Sequence, residues 1–292
     1  MNSKKVLITG KTSYIGKNLA HWLGHSPDEY SVECISLKDE EWKDKDFSIY
    51  DVIVHVAGIA HVSTDPNMEE LYYKVNRDLT LETAKKAKAE GVKQFIFLSS
   101  IIVYGDGSMD KKVIDGNTMP TPSNFYGDSK LQGEKGLKLL DSANFKVVII
   151  RPPMIFGKFS KGNYSKLAKL PFILPFFPDY PNYRSMLHID NLCEFIKLMI
   201  DNFEKGIFFP QNKEYVRTSE MVRMIGYVHK KNIHLTKIFN PIIRVLTSKV
   251  LVFNKLFGNL IYEKSLSEYK DNYQIRDFKE SIELTELKRR RK

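Results

Sequence analysis

Five short, continuous apolar runs, separated by segments of helical period, dominate the first half of this 292-residue chain. VLITG, VECISL, DVIVHVAG, QFIFLSS and KVVIIRP carry β-branched and aromatic residues at successive positions, as strands buried on both faces do. Such strands need helices over both faces of a parallel sheet, so the alternation predicts βαβ units and an α/β fold. Between two runs, residues 67 to 90 space Leu71, Val75 and Leu79 four apart and stop at Gly91, which predicts a crossover helix with a C′ glycine. YGDSKLQGEKGLKLLD, residues 126 to 141, predicts a weaker helix, because Gly133 and Gly136 each lower its propensity by about 1 kcal/mol. From 191 to 203, Leu192, Phe195, Ile196, Met199, Ile200 and Phe203 recur at helical spacing, which predicts a helix packed on the sheet. Residues 153 to 185, rich in Pro, Phe and Tyr, read as irregular. Beyond 228 the apolar runs are short and Pro241 interrupts them, which favours a packed helical subdomain over a membrane-surface helix.

Composition excludes several classes. No run of 18 apolar residues exists, and MNSKKVLITG passes from two lysines into a strand without a signal-peptide core, so the expectation is a cytoplasmic protein with no stable membrane insertion. Cys34 and Cys193 stand far apart without metal-ligand spacing, which predicts buried thiols and no metal. The formal charge of +10 includes the terminal run Lys288 to Lys292. Without interleaved aromatics that run reads as a solvated tail, not a nucleic-acid module, and the remaining positive bias suits a phosphate-bearing substrate.

ITGKTSYIG follows the first strand and opens a helix. Gly10 permits a tight turn, Gly16 lets helix and strand approach, and the helix N-terminus offers amides to a pyrophosphate. Ser13 stands where a bare backbone would bring phosphates closest, so the turn alone is compatible with a plain strand-to-helix connection. Farther on, Tyr126 and Lys130 lie four apart, on one helix face. A phenol is a poor base at neutral pH, and a neighbouring ammonium favours its phenolate. Ser100 ends the QFIFLSS strand, at the carboxyl edge where open α/β sheets bind ligands.

These segments resemble the extended short-chain dehydrogenase/reductases, the nucleotide-sugar epimerases and dehydratases, over roughly residues 4 to 284. TGKTSYIG, DVIVHVAG, YYKVN, SSIIVYG, YGDSK, RPPMIFG and YRSMLHIDNL are similar to that family's motifs and stand in its order. The resemblance implies a Rossmann-type doubly wound parallel sheet with a smaller C-terminal substrate-binding domain. It places the dinucleotide domain at 1–152 plus 186–209, the substrate domain at 153–185 plus 210–287, and a basic tail at 288–292. It makes Tyr126 the catalytic acid/base, Lys130 the residue that lowers its pKa and holds the nicotinamide ribose, and Ser100 a hydrogen-bond partner of the reacting sugar oxygen. Gly10, Lys11, Ser13, Tyr14, Ile15, Gly16, Ser36, Lys38, Ala57, Gly58, Lys130 and Pro153 become the expected cofactor contacts. Ser100, Tyr126, Asn163 and Arg184 become the expected substrate contacts, Arg184 on the diphosphate. Asn76 is implied to be structural, His55 and His188 to be packing residues, and His61 to stand near substrate.

Departures from the pattern narrow the chemistry. The family's 4,6-dehydratases carry Asp-Glu where this chain has Ile101 and Ile102, so the resemblance implies reaction at C4 without dehydration: reduction of a 4-keto sugar, or epimerisation. VECISLKDE puts Ser36 where a NAD-retaining epimerase carries an acid, with Lys38 and Lys11 nearby. That leans toward NADP over NAD and toward a reductase; the alternative is surface lysines with Asp39 taking the ribose. QFIFLSS, FKVVIIRPPMIFG and KLFGNLIY are also similar to capsule and O-antigen enzymes that make 6-deoxy-N-acetylhexosamines. The expected partner is a UDP-linked sugar, in a homodimer-forming family. A non-catalytic NAD(P)-binding protein is the other class of reading, and such relatives lack the Tyr or Lys.

Overall fold

A computed structural model describes residues 3–60, 65–107 and 112–287; His61 and the 288–292 tail lie outside them. In chain order the elements begin with β1 (Lys4–Thr9), α1 (Tyr14–Leu23), β2 (Tyr30–Ile35), β3 (Val52–His55), α2 (Glu69–Tyr73), α3 (Leu79–Ala89) and β4 (Gln94–Leu98). They continue with β5 (Val113–Ile114), α4 (Phe125–Lys138), β6 (Lys146–Ile150), β7 (Met154–Phe156), α5 (Asn163–Leu167), β8 (Phe176–Pro178) and β9 (Met186–His188). The last are α6 (Ile189–Asp201), β10 (Gly206–Phe208), α7 (Thr218–Val228), β11 (His234–Thr236), α8 (Asn240–Lys249), α9 (Leu251–Phe257), β12 (Ile261–Tyr262) and α10 (Phe278–Leu287).

The chain divides into two compact units. The first comprises 1–105, 120–152 and 192–209 and is built on a six-stranded sheet of order β10-β6-β4-β3-β1-β2. Every neighbouring pair is parallel, as the continuous apolar runs require. The strand order reverses between β1 and β3, and ligands bind at such switch points, beyond the carboxyl ends of the strands. Leu7, Ile53, Phe95, Phe97, Val147 and Ile149 from the strands pack with Ala84, Ala87 and Leu137 on one face.

The crossover helix departs from its expected form. Residues 74 to 78 form a π turn between α2 and α3, and the buried face is Tyr72, Asn76, Thr80, Ala84 and Ala87, while Leu71 is exposed. The π turn shifts the phase that the Leu71–Val75–Leu79 spacing implied. Phe203, too, lies beyond α6 with φ 50° and is partly exposed. The α4 glycines serve packing: a Cβ on Gly133 would meet the Asn76 carbonyl at 2.9 Å, and one on Gly136 the Leu81 side chain at 2.6 Å.

The second unit comprises 106–119, 153–191 and 210–292. It is not wholly irregular before 185, holding short parallel pairs β7–β9 and β8–β11. Its core gathers Phe156, Tyr164, Phe177, Tyr180, Val222, Ile225, Ile243 and Phe257. Residues 106–119 and 186–191 belong here, against the boundaries expected from sequence, because β5 pairs with β12 and β9 with β7.

Candidate cofactor and catalytic site

At the carboxyl end of β1, Gly10 adopts φ +86°, and a Cβ there would stand 3.1 Å from the Ala57 amide nitrogen after β3. A Cβ on Gly16 would lie 2.8 Å from both the Gly10 carbonyl and Ser13 Oγ. Both glycines are therefore demanded by the turn, and they bring α1 against the switch point. Ser13 is the N-cap of α1: its Oγ accepts from Gly16 N at 2.9 Å, satisfying one of the helix's orphan donors and leaving the hydroxyl hydrogen as a donor. Tyr14 and Ile15 form the first turn of that helix. The amides of Gly10 and Lys11 both donate to the Ile35 carbonyl, at 2.9 and 3.0 Å, so Lys11 sits beside the end of β2, next to Ser36. Ser36 Oγ accepts from Lys38 N at 3.2 Å, and Lys11, Lys38 and Asp39 are all exposed. Glu33, the carboxylate within β2, is held by Lys45 at 2.7 Å and by the Tyr50 hydroxyl. A turn closed to any Cβ, a helix N-terminus and a lysine-flanked strand end form a cradle fit for a dinucleotide.

Ser100 follows β4 and N-caps the short 3₁₀ turn Ile101–Tyr104. Asn124 caps α4, its Oδ1 accepting from Gly127 N at 3.0 Å, and so fixes the start of the helix that carries Tyr126 and Lys130. Ser100 stands beside the Tyr126 phenol and favours its ionised form, and the phenol ring stands edge-on to Tyr72 with centroids 5.8 Å apart. Burial pushes the phenol above its usual pKa, and Ser100 pulls it partly back. Lys130 is buried, donates to the Leu98 carbonyl at 2.9 Å and lies 4.6 Å from the centre of the Phe97 ring. Burial brings its pKa down to about 8, against an upward pull from Glu134. A Cβ on Gly58 would stand 3.0 Å from both Lys130 Nζ and Asn76 Oδ1. The loop after β3 thus passes directly over Lys130 and Asn76.

Asn76 and His55 support this loop. Asn76 accepts from Ile59 N at 2.9 Å and donates to Ile59 O and Ser129 Oγ. His55 bridges the Thr9 and Thr80 hydroxyls at 3.0 and 3.1 Å, and burial drops its pKa to about 3. It is a neutral packing residue.

A buried cluster next to the site joins residues far apart in the sequence. Arg151 grips Glu134 through Nε at 3.0 Å and Nη2 at 2.5 Å and donates to the Tyr104 hydroxyl at 2.6 Å. Ser99 donates to the same carboxylate. Glu134 lies one turn beyond Lys130 on α4, so the cluster ties β4, the 3₁₀ turn, α4 and the end of β6 together beside Lys130.

Within the second unit, Pro153 directly precedes β7, Asn163 is exposed at the start of α5, and Arg184 is half-buried. Arg184 Nη1 donates to Gly258 O at 2.9 Å, its backbone pairs with Val216, and burial lowers its pKa to about 10. His188 accepts from Asp190 N at 3.3 Å and packs edge-on to Phe156.

Known proteins share this architecture. A dTDP-4-dehydrorhamnose reductase from Clostridium acetobutylicum superposes with a TM-score of 0.74 at 18% identity, covering 96% of this chain and 97% of that one. The N-acetyl-alpha-D-glucosaminyl-diphospho-ditrans,octacis-undecaprenol 4-epimerase of Escherichia coli O157:H7 is 27% identical over 84% of this chain and 73% of its own length. A UDP-glucose 4-epimerase of Vibrio cholerae is 35% identical over 76% of this chain and 75% of its own. The sequence model of the NAD dependent epimerase/dehydratase family matches residues 6–209, and the chain belongs to that family of NAD(P)-binding enzymes.

Proposed function

We propose that the protein is an NAD(P)-dependent oxidoreductase acting at C4 of a UDP-linked hexose or N-acetylhexosamine, and that its reaction is reduction of a 4-keto-6-deoxy sugar. The observation that carries the reading is the placement of Tyr126 and Lys130 one helical turn apart on α4, with Ser100 beside the phenol, at the carboxyl edge of a parallel sheet. In this reading Ser100 and Tyr126 bind the C4 oxygen, and Tyr126 moves the proton on or off it. Bound NAD(P) supplies hydride exchange with C4. Lys130 holds positive charge below the site and helps the phenol ionise. Gly10, Ser13, Tyr14, Ile15, Gly16, Ala57, Gly58 and Pro153 line the cofactor path, and Asn163 and Arg184 hold the substrate, Arg184 at the diphosphate.

Two features at the end of β2 favour reduction. Lys11, Ser36 and Lys38 crowd the end of β2, and Glu33 is already committed to Lys45 and Tyr50, so a 2′-phosphate suits this end better than a bare ribose diol. Ile101 and Ile102 follow Ser100 and give no carboxyl group for eliminating water, which argues against dehydration and is compatible with either C4 reaction. Epimerisation at C4 is the second reading, favoured by the names of the Vibrio cholerae and Escherichia coli relatives. Purified protein given UDP-4-keto-6-deoxy-N-acetylglucosamine and NADPH should consume NADPH. Tightly co-purified NAD, with interconversion of UDP-hexose C4 epimers and no net NADPH use, would replace the reductase by the epimerase.

A further inference from the structure

Five successive apolar residues of the second unit, Phe172, Ile173, Leu174, Pro175 and Phe176, are all exposed, with 54%, 70%, 39% and 57% of Phe172, Ile173, Leu174 and Phe176 open to solvent. Runs of this kind on a surface are uncommon unless something covers them. The segment is firmly seated: Pro171 is buried, Leu170 packs on the core, and the Phe172 ring meets that of His229 at 4.9 Å. Its exposure is a property of the fold. β8 and β11 link it to a second apolar stripe, since the chain leaving β11 presents Ile238, Ile242 and Val245, all more than half exposed, while Ile243 and Thr247 of α8 face inward.

Along the sequence of these stripes charge has a single sign over long stretches, and Asp179, where β8 meets β11, is paired with Arg217 at 2.6 Å. No Asp or Glu stands between Asp141 and Asp179, a span with Lys158, Lys161, Lys166 and Lys169. None stands between Glu220 and Glu263, where there are seven Lys or Arg. Lys166, Lys169, Lys230, Lys231, Lys237 and Arg244 are exposed. Of the acids contributed by α10, Glu286 is buried and bound by His229 at 2.7 Å, and Glu283 lines a groove with Tyr227, Lys230 and Lys231. Exposed aromatic and aliphatic groups framed by lysines match the headgroup boundary of an anionic bilayer, where apolar side chains enter the interface and each cation meets lipid phosphate.

We infer that this face of the second unit, Phe172 to Phe176 with the Ile238–Val245 stripe and their flanking lysines, docks on the surface of an anionic phospholipid membrane. No described helix is long and apolar enough to cross one, so the attachment is peripheral and reversible. Docking of this kind is independent of which C4 reaction the first unit performs.

Co-sedimentation of the full chain with vesicles tests it. Equimolar phosphatidylglycerol and phosphatidylcholine should bring the protein down, phosphatidylcholine alone should not, and high salt should release it. Ile173→Glu with Phe176→Glu, and separately Lys230→Glu with Lys231→Glu, should each weaken binding by about tenfold or more, with unchanged circular dichroism and NADPH binding. The lysine pair lies wholly on the surface, so it reads out even if the apolar pair folds poorly. Failure to bind the anionic vesicles, or binding that both pairs leave intact, overturns the inference. So does a wild-type dimer that Ile173→Glu with Phe176→Glu splits, for the face would then be covered by a second copy of this chain.

Discussion

Lys130 stands one helical turn from Tyr126, yet its ammonium donates to the Leu98 carbonyl at 2.9 Å and not to the phenol. The two side chains share a face, but burial dominates each of them in the chain alone: the phenol is pushed up and the ammonium down, to about 8. Both are displaced toward their neutral forms, and a cationic ring or a sugar oxygen placed between them would couple them.

The first prediction is a pH dependence of stability. An unfolded lysine has a pKa of about 10.4, and the folded value for Lys130 is about 8. Between those values the unfolded chain binds more protons, so this group makes stability rise with pH across the window and leaves it lowest below pH 8. Lys130→Met should flatten that rise. Urea midpoints of the cofactor-free protein, measured at steps from about pH 7 to about pH 10.5, check it; parallel curves for the two proteins would contradict it.

Tyr126→Phe tests the proton role. The phenyl ring keeps its packing against Tyr72 but loses the hydroxyl that stands beside Ser100. Turnover should fall by roughly 10²–10⁴-fold, the usual range for a lost general acid or base, with NADPH affinity within about twofold of wild type. Fluorescence titration and steady-state rates separate the two effects. Ser100→Ala should fall between, because it removes a hydrogen bond and not the proton donor.

Much of this was legible in the sequence, for identifiable reasons. β1, β3, β4 and β6 announced themselves because burial on both faces leaves few polar positions, whereas β2, against that expectation, is an edge strand with Ser31 and Glu33 exposed; Y-x-x-x-K places two groups on one helix face whatever surrounds it. The phase of the crossover helix was not legible. A π turn at Lys74–Asp78 leaves the local spacing of Leu71, Val75 and Leu79 unchanged while rotating the helix downstream of it, so Leu71 ended outside and Asn76 inside. The Glu134–Arg151 pair was equally hidden, since its members meet only when α4 lies against β6. Arg151 stood inside the RPPMIFG motif, and Glu134 four residues after Lys130 offered the one clue. The exposed Phe172–Phe176 run looked like ordinary loop apolarity, because sequence alone does not say which side of a packed segment faces out.

The Glu134–Arg151 pair supports a third prediction. Both side chains are almost wholly buried, Arg151 at 4% and Glu134 at 1% exposure, so removing one leaves an uncompensated charge. Glu134→Ala should cost about 3–5 kcal/mol, read from denaturant midpoints. Glu134→Leu with Arg151→Met should recover much of that loss, since an apolar pair carries no desolvation penalty. In Glu134→Gln the Lys130 pKa should drop further below 8, because the carboxylate that favours its charged form is gone.

The last prediction concerns the choice of dinucleotide. Lys11 is pinned beside Ser36 by the bond from its own amide to the Ile35 carbonyl, and Ser36 in turn receives the amide of Lys38. Two lysines thus flank one hydroxyl at the end of β2, where the adenosine ribose of a bound dinucleotide is recognised. A charge-assisted hydrogen bond contributes about 1.5–3 kcal/mol, so Lys11→Ala with Lys38→Ala should weaken NADPH binding by about ten- to a hundredfold and leave NADH nearly unchanged. Ser36→Asp should go further and favour NADH, since a carboxylate there accepts from a ribose diol and repels a phosphate. Parallel titrations of the three proteins with both cofactors measure the ratio directly. Equal losses for NADPH and NADH would mean that the lysines act on the pyrophosphate or only on the general field, and that Asp39, three residues past Ser36, holds the ribose.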